Sequence, residues 1–431
     1  MALQVHQLSY SPLTAHAFNA DRSKVAVSPN SNEILIYAQT HDGWRLEHSL
    51  IEHDKLVTGI DWAPDTNRIV SCSQDRNAYV WTLSEDGRKW KPTLVLLRLN
   101  RSATAVRWSP KEDKFAVASS ARTISVCSFE EDNDWWVAKH IKRPLRSTVN
   151  AIDWHPNNVL LAAGCADFYA RVFSAYIKGV DAKPPSSVWG ERLPFGTVCG
   201  EFPTPTNGWV HGVAFSPSGD ALAFVGHDAT LSVVYPSGPD SEPYAFHTIR
   251  LPSLPYVTLL FINETTIVAA GNDCQPIVFE GDQQNGWKLS RSLDTVGAVA
   301  SKPKPPPPPP KAPGLASNSS GGVGRLNNQA FARFRAADSR GTSSAPSSSE
   351  TEGTISPTSL GAVAGASIAD DGELHTTCQN TITNVRIYSG APGNVQAVST
   401  SGMDGRLCVF DANKGTTSVA PILRGVSSLQ I

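Results

Sequence analysis

Residues of the types that make up catalytic triads occur close together in the first quarter of the chain. They are His53, Ser71 or Ser73, Asp75 and Trp81. A Ser–His–Asp set attacks an acyl group only where the serine is an exposed nucleophile beside oxyanion donors. We find no nucleophile motif in the sequence, and no His/Asp/Glu cluster with the spacing of metal ligands. The sequence therefore predicts no enzyme activity, no metal and no cofactor.

Composition and charge exclude several other classes of protein. The 431 residues carry a formal net charge of −2, which gives no general attraction to nucleic acid or anionic membranes. The seven cysteines occur singly, without a C-x-x-C pair. The N-terminal MALQVHQLSY lacks a signal-peptide core. No apolar run reaches the ~18 residues of a membrane helix. These features predict a cytosolic, soluble protein that binds neither nucleic acid nor membranes.

The segments that must position these residues repeat along the chain. Seven of them alternate between apolar and polar positions, reach an aromatic or apolar anchor and then turn, as in VTGIDWAP and ATAVRWSP. Most neighbouring anchors are 44 to 46 residues apart, and two intervals are longer. The anchors are Phe18, Trp62, Trp108, Trp154, Phe215, Phe261 and Ile387.

Each anchor precedes a second strand pattern, a turn that often carries Asp, and a third strand that ends in an aromatic residue. About four short strands per 40 to 45 residues are typical of β-propeller blades. One blade alone leaves both faces of its sheet uncovered, so blades must stack and close into a ring. The sequence predicts an all-β, seven-bladed propeller in which Val5 to Leu8 completes the last blade.

The repeats resemble the WD40 family, although the Trp-Asp pair that ends the family's repeat never occurs intact. Val80-Trp81 retains the tryptophan, and Phe410-Asp411 retains the aspartate. In that family, His, Ser, Asp and Trp form a buried hydrogen-bonded tetrad that holds a blade together. The resemblance therefore implies a structural tetrad of His53, Ser71 (or Ser73), Asp75 and Trp81.

Two insertions interrupt the repeat, and function often lies in such places. The first, between Ser174 and Val210, has the Pro-Pro, glycine and aromatic content of an ordered excursion. The second, residues 301–375, separates blades 1 to 6 (1–300) from blade 7 and a C-terminal tail (376–431). It opens with KPKPPPPPPKAP, which favours an extended polyproline segment. Its remaining Ser, Gly and Ala cannot build a core, so we expect it to be largely disordered.

Within the second insertion, residues 325–338 have the spacing of a short amphipathic helix. Leu326, Ala330 and Phe334 are four residues apart, and Phe331 lies beside them. A helix held between flexible arms favours recognition of a groove on a partner. The alternative is a helix that docks on its own propeller, or a chance cluster in a disordered loop.

A third feature is the basic segment DNDWWVAKHIKRPLRSTV. Its two tryptophans, Trp135 and Trp136, are expected to be exposed. The default interpretation is a solvated connection between blades, and the alternative is a basic ledge that binds an acidic protein surface. The cations that follow the tryptophans are Lys139, Lys142, Arg143 and Arg146.

Several stretches carry a more specific resemblance, to the propeller subunit family of the actin-related protein 2/3 complex. They are CSQDRNAYVW, TAVRWSPKEDKFAVASSARTISVC, NDWWVAKHIKRPLRSTV, DWHPNNVLLAAGCADFYARVFSAYIKGVD and WGERLPFG. The resemblance runs from about residue 6 to about 411 without most of the second insertion. It includes irregular segments between blades that propeller packing does not dictate.

The resemblance implies a non-catalytic scaffold subunit of a complex that nucleates actin branches, located in the cytoplasm at the actin cytoskeleton. The implied partners are the actin-related and other subunits, nucleation-promoting activators and the mother filament, and an activator contact favours the basic ledge. The family's insertion carries a helix that contacts actin. Arg333, Phe334 and Asp338 are similar to part of that helix, and the residues before them depart from it.

Two further alternatives concern partners. The hexaproline run Pro305–Pro310 is not a general feature of the family. It either recruits profilin or an SH3 domain, or spaces the helix outward. A free WD40 adaptor or substrate receptor is the alternative function for the same fold, expected if the protein runs without actin-related proteins.

Overall fold

The computed structural model describes residues 3–191, 193–239, 241–251, 253–294 and 376–415. These residues form seven antiparallel sheets of four strands each. Their only helical element is a 3-10 turn at Glu131–Asn133. The predicted all-β, seven-bladed propeller is confirmed.

The strands of the first four blades follow one another in chain order after a first strand, β1 (Gln4–Gln7), that belongs to the last blade. Blade 1 contains β2 (Ala15–Phe18), β3 (Lys24–Ser28), β4 (Glu33–Thr40) and β5 (Gly43–Ile51). Blade 2 contains β6 (Val57–Trp62), β7 (Ile69–Ser73), β8 (Ala78–Leu83) and β9 (Trp90–Val95). Blade 3 contains β10 (Ala103–Trp108), β11 (Lys114–Ser119), β12 (Ile124–Glu130) and β13 (Trp135–Ile141). Blade 4 contains β14 (Val149–Trp154), β15 (Leu160–Cys165), β16 (Tyr169–Ser174) and β17 (Val198–Pro203).

The remaining three blades repeat this order. Blade 5 contains β18 (Val210–Phe215), β19 (Leu222–Gly226), β20 (Thr230–Tyr235) and β21 (Ala245–Arg250). Blade 6 contains β22 (Tyr256–Asn263), β23 (Thr266–Gly271), β24 (Ile277–Asp282) and β25 (Gly286–Ser292). Blade 7 contains β26 (Ile382–Ala391), β27 (Asn394–Gly402) and β28 (Arg406–Asp411), and β1 is its fourth strand.

The ring closes through the N-terminal strand, as predicted. Strand β1 pairs antiparallel with β28, so that Gln4 lies opposite Val409 and Gln7 opposite Arg406. The last blade thus takes its outer strand from one end of the propeller sequence and its inner three from the other. Sheet hydrogen bonds join these two ends and leave no open blade.

The hydrophobic core is divided among the interfaces between blades. Seven clusters of buried residues each combine side chains from two consecutive blades. The cluster between blades 2 and 3, for example, packs Val70 and Val80 against Trp108 and Phe115. Each anchor residue therefore packs between its own blade and a neighbouring blade. This packing explains why all seven repeats have a large apolar side chain at that position.

Side-chain hydrogen bonds also join the innermost strands of most neighbouring blades. In five blades, a polar side chain at or near the start of the innermost strand donates a hydrogen bond to a backbone carbonyl of the next blade. Blades 5 and 6 have His211 and Val257 at this position. The five bonds run from Thr14 to Val57 (3.1 Å), Thr58 to Ala103 (3.0 Å), Thr104 to Val149 (2.5 Å), Asn150 to Val210 (2.9 Å) and Thr383 to Leu13 (2.7 Å).

The first insertion is ordered, as predicted. Trp189 is fully buried against blades 4 and 5, and its Nε1 donates to the carbonyl of Gly219 (2.7 Å). Asp181 forms a buried ion pair with Lys114 of blade 3. Apolar burial and a paired buried charge together hold this excursion against three blades.

Candidate functional site

The triad-like residues of blade 2 form one continuous hydrogen-bonded chain. His53 lies between Asp75 and Ser71, with Nδ1 2.7 Å from Asp75 Oδ2 and Nε2 2.8 Å from Ser71 Oγ. Trp81 Nε1 donates to the same Ser71 Oγ over 2.9 Å. Ser73 instead donates to the carbonyl of Lys55. The predicted tetrad is present, and Ser71 is its serine.

The environment of this tetrad favours a structural role. Burial raises the pKa of Asp75, but hydrogen bonds from His53 and from the N–H groups of Asn77 and Asp54 outweigh it, so the pKa lies below its ordinary value. Ser71 Oγ already meets two donor or acceptor groups, and the residue is fully buried. A serine so enclosed offers no path to a substrate.

The tetrad also identifies the two ends of the propeller. Because each blade is an antiparallel meander, the connector leading into an inner strand and the turn between the second and third strands lie at the same end. His53, in a connector, contacts Asp75, in such a turn. The backbone N–H of Arg146 bonds Asp167 in the same way in blade 4 (2.9 Å). We call this end the connector face.

Eight exposed cations gather on the connector face of blades 2 to 4, in three connectors and two turns. Within the described residues, none of them forms an ion pair. We call this group the basic patch; it comprises Lys55, Arg76, Arg98, Arg101, Arg122, Lys142, Arg143 and Arg146.

Acidic residues on the same loops do little to neutralise the basic patch. Asp75 accepts from the tetrad histidine, and Asp167 binds Arg171 Nη1 at 2.8 Å. Only Glu52 and Asp54 are exposed carboxylates in these connectors and turns. The patch therefore presents an excess of positive charge to solvent although the chain as a whole is slightly acidic.

Two arginines of the basic patch occupy backbone conformations that favour glycine. Arg76 and Arg122 have φ angles of 77° and 57° at the same position of their turns, where blade 7 has Gly405 with φ 76°. A non-glycine residue there costs on the order of 1 kcal/mol. Phe168, Ala229 and Cys274 occupy the same position in blades 4 to 6, so this turn commonly carries a non-glycine residue in the propeller.

Apolar side chains border the patch. Leu96, in the connector that carries Arg98 and Arg101, is 56% exposed, and Phe168, in the equivalent turn of blade 4, is 37% exposed. Cations around exposed apolar groups can bind an acidic segment that also carries apolar residues. The geometry of this face therefore fits a protein partner.

The basic segment found in the sequence is only partly a connection between blades. Residues 135–141 form β13, the outer strand of blade 3, and the connector begins after it. Trp135 is 53% exposed, as expected, but the expectation for Trp136 was wrong, since it is only 7% exposed. Alternation along β13 turns Trp136 inward, where its ring centroid lies 5.0 Å from that of Phe115.

The other predicted site residues divide in two. Lys142, Arg143 and Arg146 lie in the basic patch, whereas Lys139 is exposed on β13, at the side of the blade. The helix at 325–338, including Leu326, Phe331, Arg333 and Phe334, lies outside the described residues, as does the run Pro305–Pro310.

Sequence reasoning missed five members of the basic patch: Lys55, Arg76, Arg98, Arg101 and Arg122. Each stands at a connector or turn position that recurs at a similar distance from an anchor. Alignment of the seven repeats on their anchors would have brought these positions together. A search for runs of basic residues finds only the third connector, because the other cations are dispersed in sequence.

The inner strands place four charged residues around the central channel. They precede the anchors of blades 2, 3, 4 and 7: Asp61, Arg107, Asp153 and Arg386. Burial raises the pKa of Asp61 and of Asp153 to about 6, although Arg107 opposes the shift. Each aspartate accepts a hydrogen bond from the next blade's anchor or its equivalent, Asp61 from the N–H of Trp108 and Asp153 from that of Phe215.

Membrane and metal features were also sought in the described part of the chain. It contains no helix that is long and apolar enough to cross a bilayer. Nor do three or more His, Cys, Asp or Glu side chains gather there in a way that would hold a metal ion.

Two family models match parts of the propeller. The model described as WD domain, G-beta repeat matches residues 44–82, which include the whole tetrad. This match starts in the outer strand of blade 1 and ends in the third strand of blade 2, so the sequence repeat is offset from the blade by one strand. The model described as anaphase-promoting complex subunit 4 WD40 domain matches residues 106–183.

Similarity to known proteins extends over nearly the whole chain. Actin-related protein 2/3 complex subunit 1 of Schizosaccharomyces pombe is 48% identical over 407 residues, which cover 94% of this chain and 98% of the relative. Subunit 1A-B of Xenopus laevis is 43% identical, covering 95% and 96%. Subunit 1A of Arabidopsis thaliana is 37% identical with the same coverage. With its seven WD40-type blades and this end-to-end similarity, the chain belongs to the actin-related protein 2/3 complex subunit 1 family.

Proposed function

We propose that this chain is a non-catalytic scaffold subunit of an actin-related protein 2/3 complex that nucleates actin branches at the cytoplasmic cytoskeleton. The observation that carries the proposal is the similarity to subunit 1 proteins of a yeast, an animal and a plant along nearly the full length. The enclosed tetrad supports the absence of catalysis, because its serine is fully buried. The ring of blades supplies a rigid surface on which other subunits assemble.

Affinity purification of the tagged chain from lysate tests this function. We expect two actin-related proteins and the remaining subunits to co-purify in equal amounts. A free adaptor or substrate receptor would instead run without actin-related proteins, and that result would overturn the proposal. Substitutions at the tetrad that leave the propeller folded should not change which subunits co-purify.

The basic patch is the proposed contact for nucleation-promoting activators, with an acidic segment as the bound element. Its cations lie in three adjacent connectors and two adjacent turns, and their exposed positions leave them free of carboxylate partners among the described residues. Attraction of an acidic segment by such a surface raises the association rate and weakens with salt. Leu96 and Phe168 offer apolar contacts to the same segment.

Charge reversal tests the activator contact within the assembled complex. Arg98→Glu with Arg101→Glu is expected to weaken binding of an activator's acidic segment at least about tenfold, as measured by fluorescence anisotropy at two salt concentrations. Lys288→Glu, an exposed position on β25, is the matched control. Equal affinity of the double variant and the control would refute the contact. Lys139→Glu and Trp135→Ala test whether the side of blade 3 takes part.

The second insertion is the proposed contact with the mother filament, through Leu326, Phe331, Arg333 and Phe334. The proposal is supported by the amphipathic spacing of these residues and by the partial match to the family's helix. Replacement of residues 325–338 by a Gly/Ser segment of equal length is expected to reduce co-sedimentation of the complex with actin filaments. Unchanged co-sedimentation would reject it. Profilin or SH3 recruitment by Pro305–Pro310 is tested separately by replacing these prolines with alanine.

A further inference from the structure

The central channel opens, at the end opposite the connector face, into a cavity of about 520 Å³. The anchors of all seven blades and the prolines that follow several of them form its walls. Volumes of this size are typical of sites for small molecules. Three arginines, Arg22, Arg107 and Arg386, and two aspartates, Asp61 and Asp153, supply its charged groups.

The three arginines differ in how well their donors are satisfied. Arg22 donates to the carbonyls of Tyr388 and Asn19, both at 2.7 Å. Arg386 donates to Asp61 and to a backbone carbonyl, both at 2.9 Å, while its buried Nε has no partner. Arg107 approaches Asp61 only to 3.7 Å, which is too long for a hydrogen bond.

Arg107 is therefore the exceptional member of the cavity. Its side chain is only 26% exposed, and within the described residues its guanidinium forms no hydrogen bond. A guanidinium has five N–H donors in a planar fork that matches a carboxylate. Arg107 also lines the narrow continuation of the channel toward the connector face, so its donors are reached from the cavity.

The net charge of the cavity indicates which ligand charge it favours. Arg107 and Arg386 are offset by Asp61 and Asp153, and Arg22 leaves one unit of positive charge in excess. A monoanion restores neutrality, whereas a phosphate dianion would give the cavity a net negative charge and be repelled more strongly by the two carboxylates. Most of the other wall residues are apolar, among them Trp62, Trp108, Trp154 and several prolines.

We propose that this cavity binds a monocarboxylate with an apolar body, with Arg107 as the principal group that contacts the carboxylate. This chemistry occurs at the C-terminus of a protein chain that ends in apolar residues, and in free aliphatic or aryl carboxylic acids. The site is separate from the basic patch, which lies at the other end of the propeller.

Calorimetric titration of the whole chain with paired probes tests the site. The probes are acetyl-Leu-Phe with a free carboxylate, the same peptide as its amide, 4-phenylbutyrate and inorganic phosphate. We expect Kd values below about 1 mM for at least one carboxylate, and binding at least about tenfold weaker for the amide and for phosphate. Quenching of the tryptophan fluorescence reports the same event, because three tryptophans border the cavity. The Kd values of the peptide acid and of 4-phenylbutyrate are then compared. Tighter binding of the peptide acid indicates a chain end as the ligand, and tighter binding of 4-phenylbutyrate indicates a free acid.

Arg107→Gln is expected to weaken carboxylate binding at least about tenfold, since the neutral amide cannot replace the bidentate fork. Arg250→Gln, exposed on β21 of blade 5, is the matched control. Equal binding of acid and amide, tighter binding of phosphate, or full affinity in Arg107→Gln would each overturn the proposal. The comparison of acid with amide needs no variant, so it decides the matter even if the substitution impairs folding.

Discussion

Buried carboxylates in this propeller experience two different environments. Asp75 accepts several hydrogen bonds beside a histidine, and the pKa of its carboxyl is lowered despite burial. For Asp61 and Asp153, in the channel, burial outweighs the contacts that favour the charged form and raises the pKa of each to about 6. Asp75 stabilises the contact between a connector and a turn. Asp61 and Asp153 destabilise the folded state when they ionise near neutral pH.

The Asp153→Asn variant is expected to gain stability relative to the native protein as the pH rises. The folded-state pKa of Asp153 is raised from 3.8 to about 6, so the native protein loses stability as the pH increases from about 4 to above 6. Asparagine lacks this ionisation and keeps an oxygen for the N–H of Phe215. The difference in free energy of unfolding should shift toward the variant by about 1 to 3 kcal/mol between pH 4.5 and 7.5. Thermal denaturation at both pH values measures it, with the exposed Asp42→Asn as control; a constant difference would contradict it.

His53→Ala is expected to lower the free energy of unfolding by about 2 to 4 kcal/mol. The substitution leaves Ser71 and Asp75 buried without their shared partner. Chemical denaturation measures the loss, and His41→Ala, at an exposed position, serves as control. An unchanged denaturation midpoint would show that the tetrad does not hold the blade. Loss of a chemical activity with stability intact would instead restore a catalytic interpretation.

At the scale of elements, the connectors and turns carry most of the departures from a minimal blade. The turn between the second and third strands adopts a left-handed conformation in several blades, at Arg76, Arg122, Phe168, Ala229 and Cys274 as well as at Gly405. Glycine adopts this conformation without strain. In blades 2 and 3 the side chains at this position are Arg76 and Arg122, which belong to the basic patch.

Arg76→Gly should therefore separate stability from binding. Glycine relieves the left-handed strain, so the melting temperature should stay the same or rise, corresponding to about 0 to 1 kcal/mol. Loss of the cation should weaken binding of an acidic segment severalfold, as measured by anisotropy. Ala229→Gly, at the equivalent turn of blade 5, should change stability similarly without affecting binding. A variant that loses stability and binding together would contradict this separation.

At the scale of the whole molecule, the ring is closed twice: by β1 on β28 at the outside, and by the side-chain bonds of the inner strands. The second insertion does not interrupt this closure. Asp294, where the chain leaves blade 6, accepts from the N–H of Thr377 (2.6 Å) and lies 2.9 Å from its Oγ1. The described residues on either side of positions 295–375 are thus held together within the propeller.

Replacement of residues 295–375 by a short Gly/Ser linker should leave the propeller stable. Because Asp294 and Thr377 already meet, a short linker spans the gap, and a shorter loop costs less closure entropy. We expect a melting temperature equal to or slightly above that of the native chain, by differential scanning fluorimetry. A second variant with Asp294→Ala in the same background should melt lower. A large loss of stability in the linker variant alone would show that the insertion is part of the fold.

The sequence by itself determined the features that repeat: seven anchors, the blade pattern, the completing N-terminal strand and the residues of the tetrad. Periodic local patterns carry this information, since each blade solves the same packing problem with the same residue types. Only the tertiary structure decided that Trp136 is buried, that dispersed cations form one patch, and that the Arg107 guanidinium has no hydrogen-bond partner among the described residues. These outcomes depend on which residues of separate blades meet across the ring, and such distances are set by the closed geometry and not by neighbours along the chain.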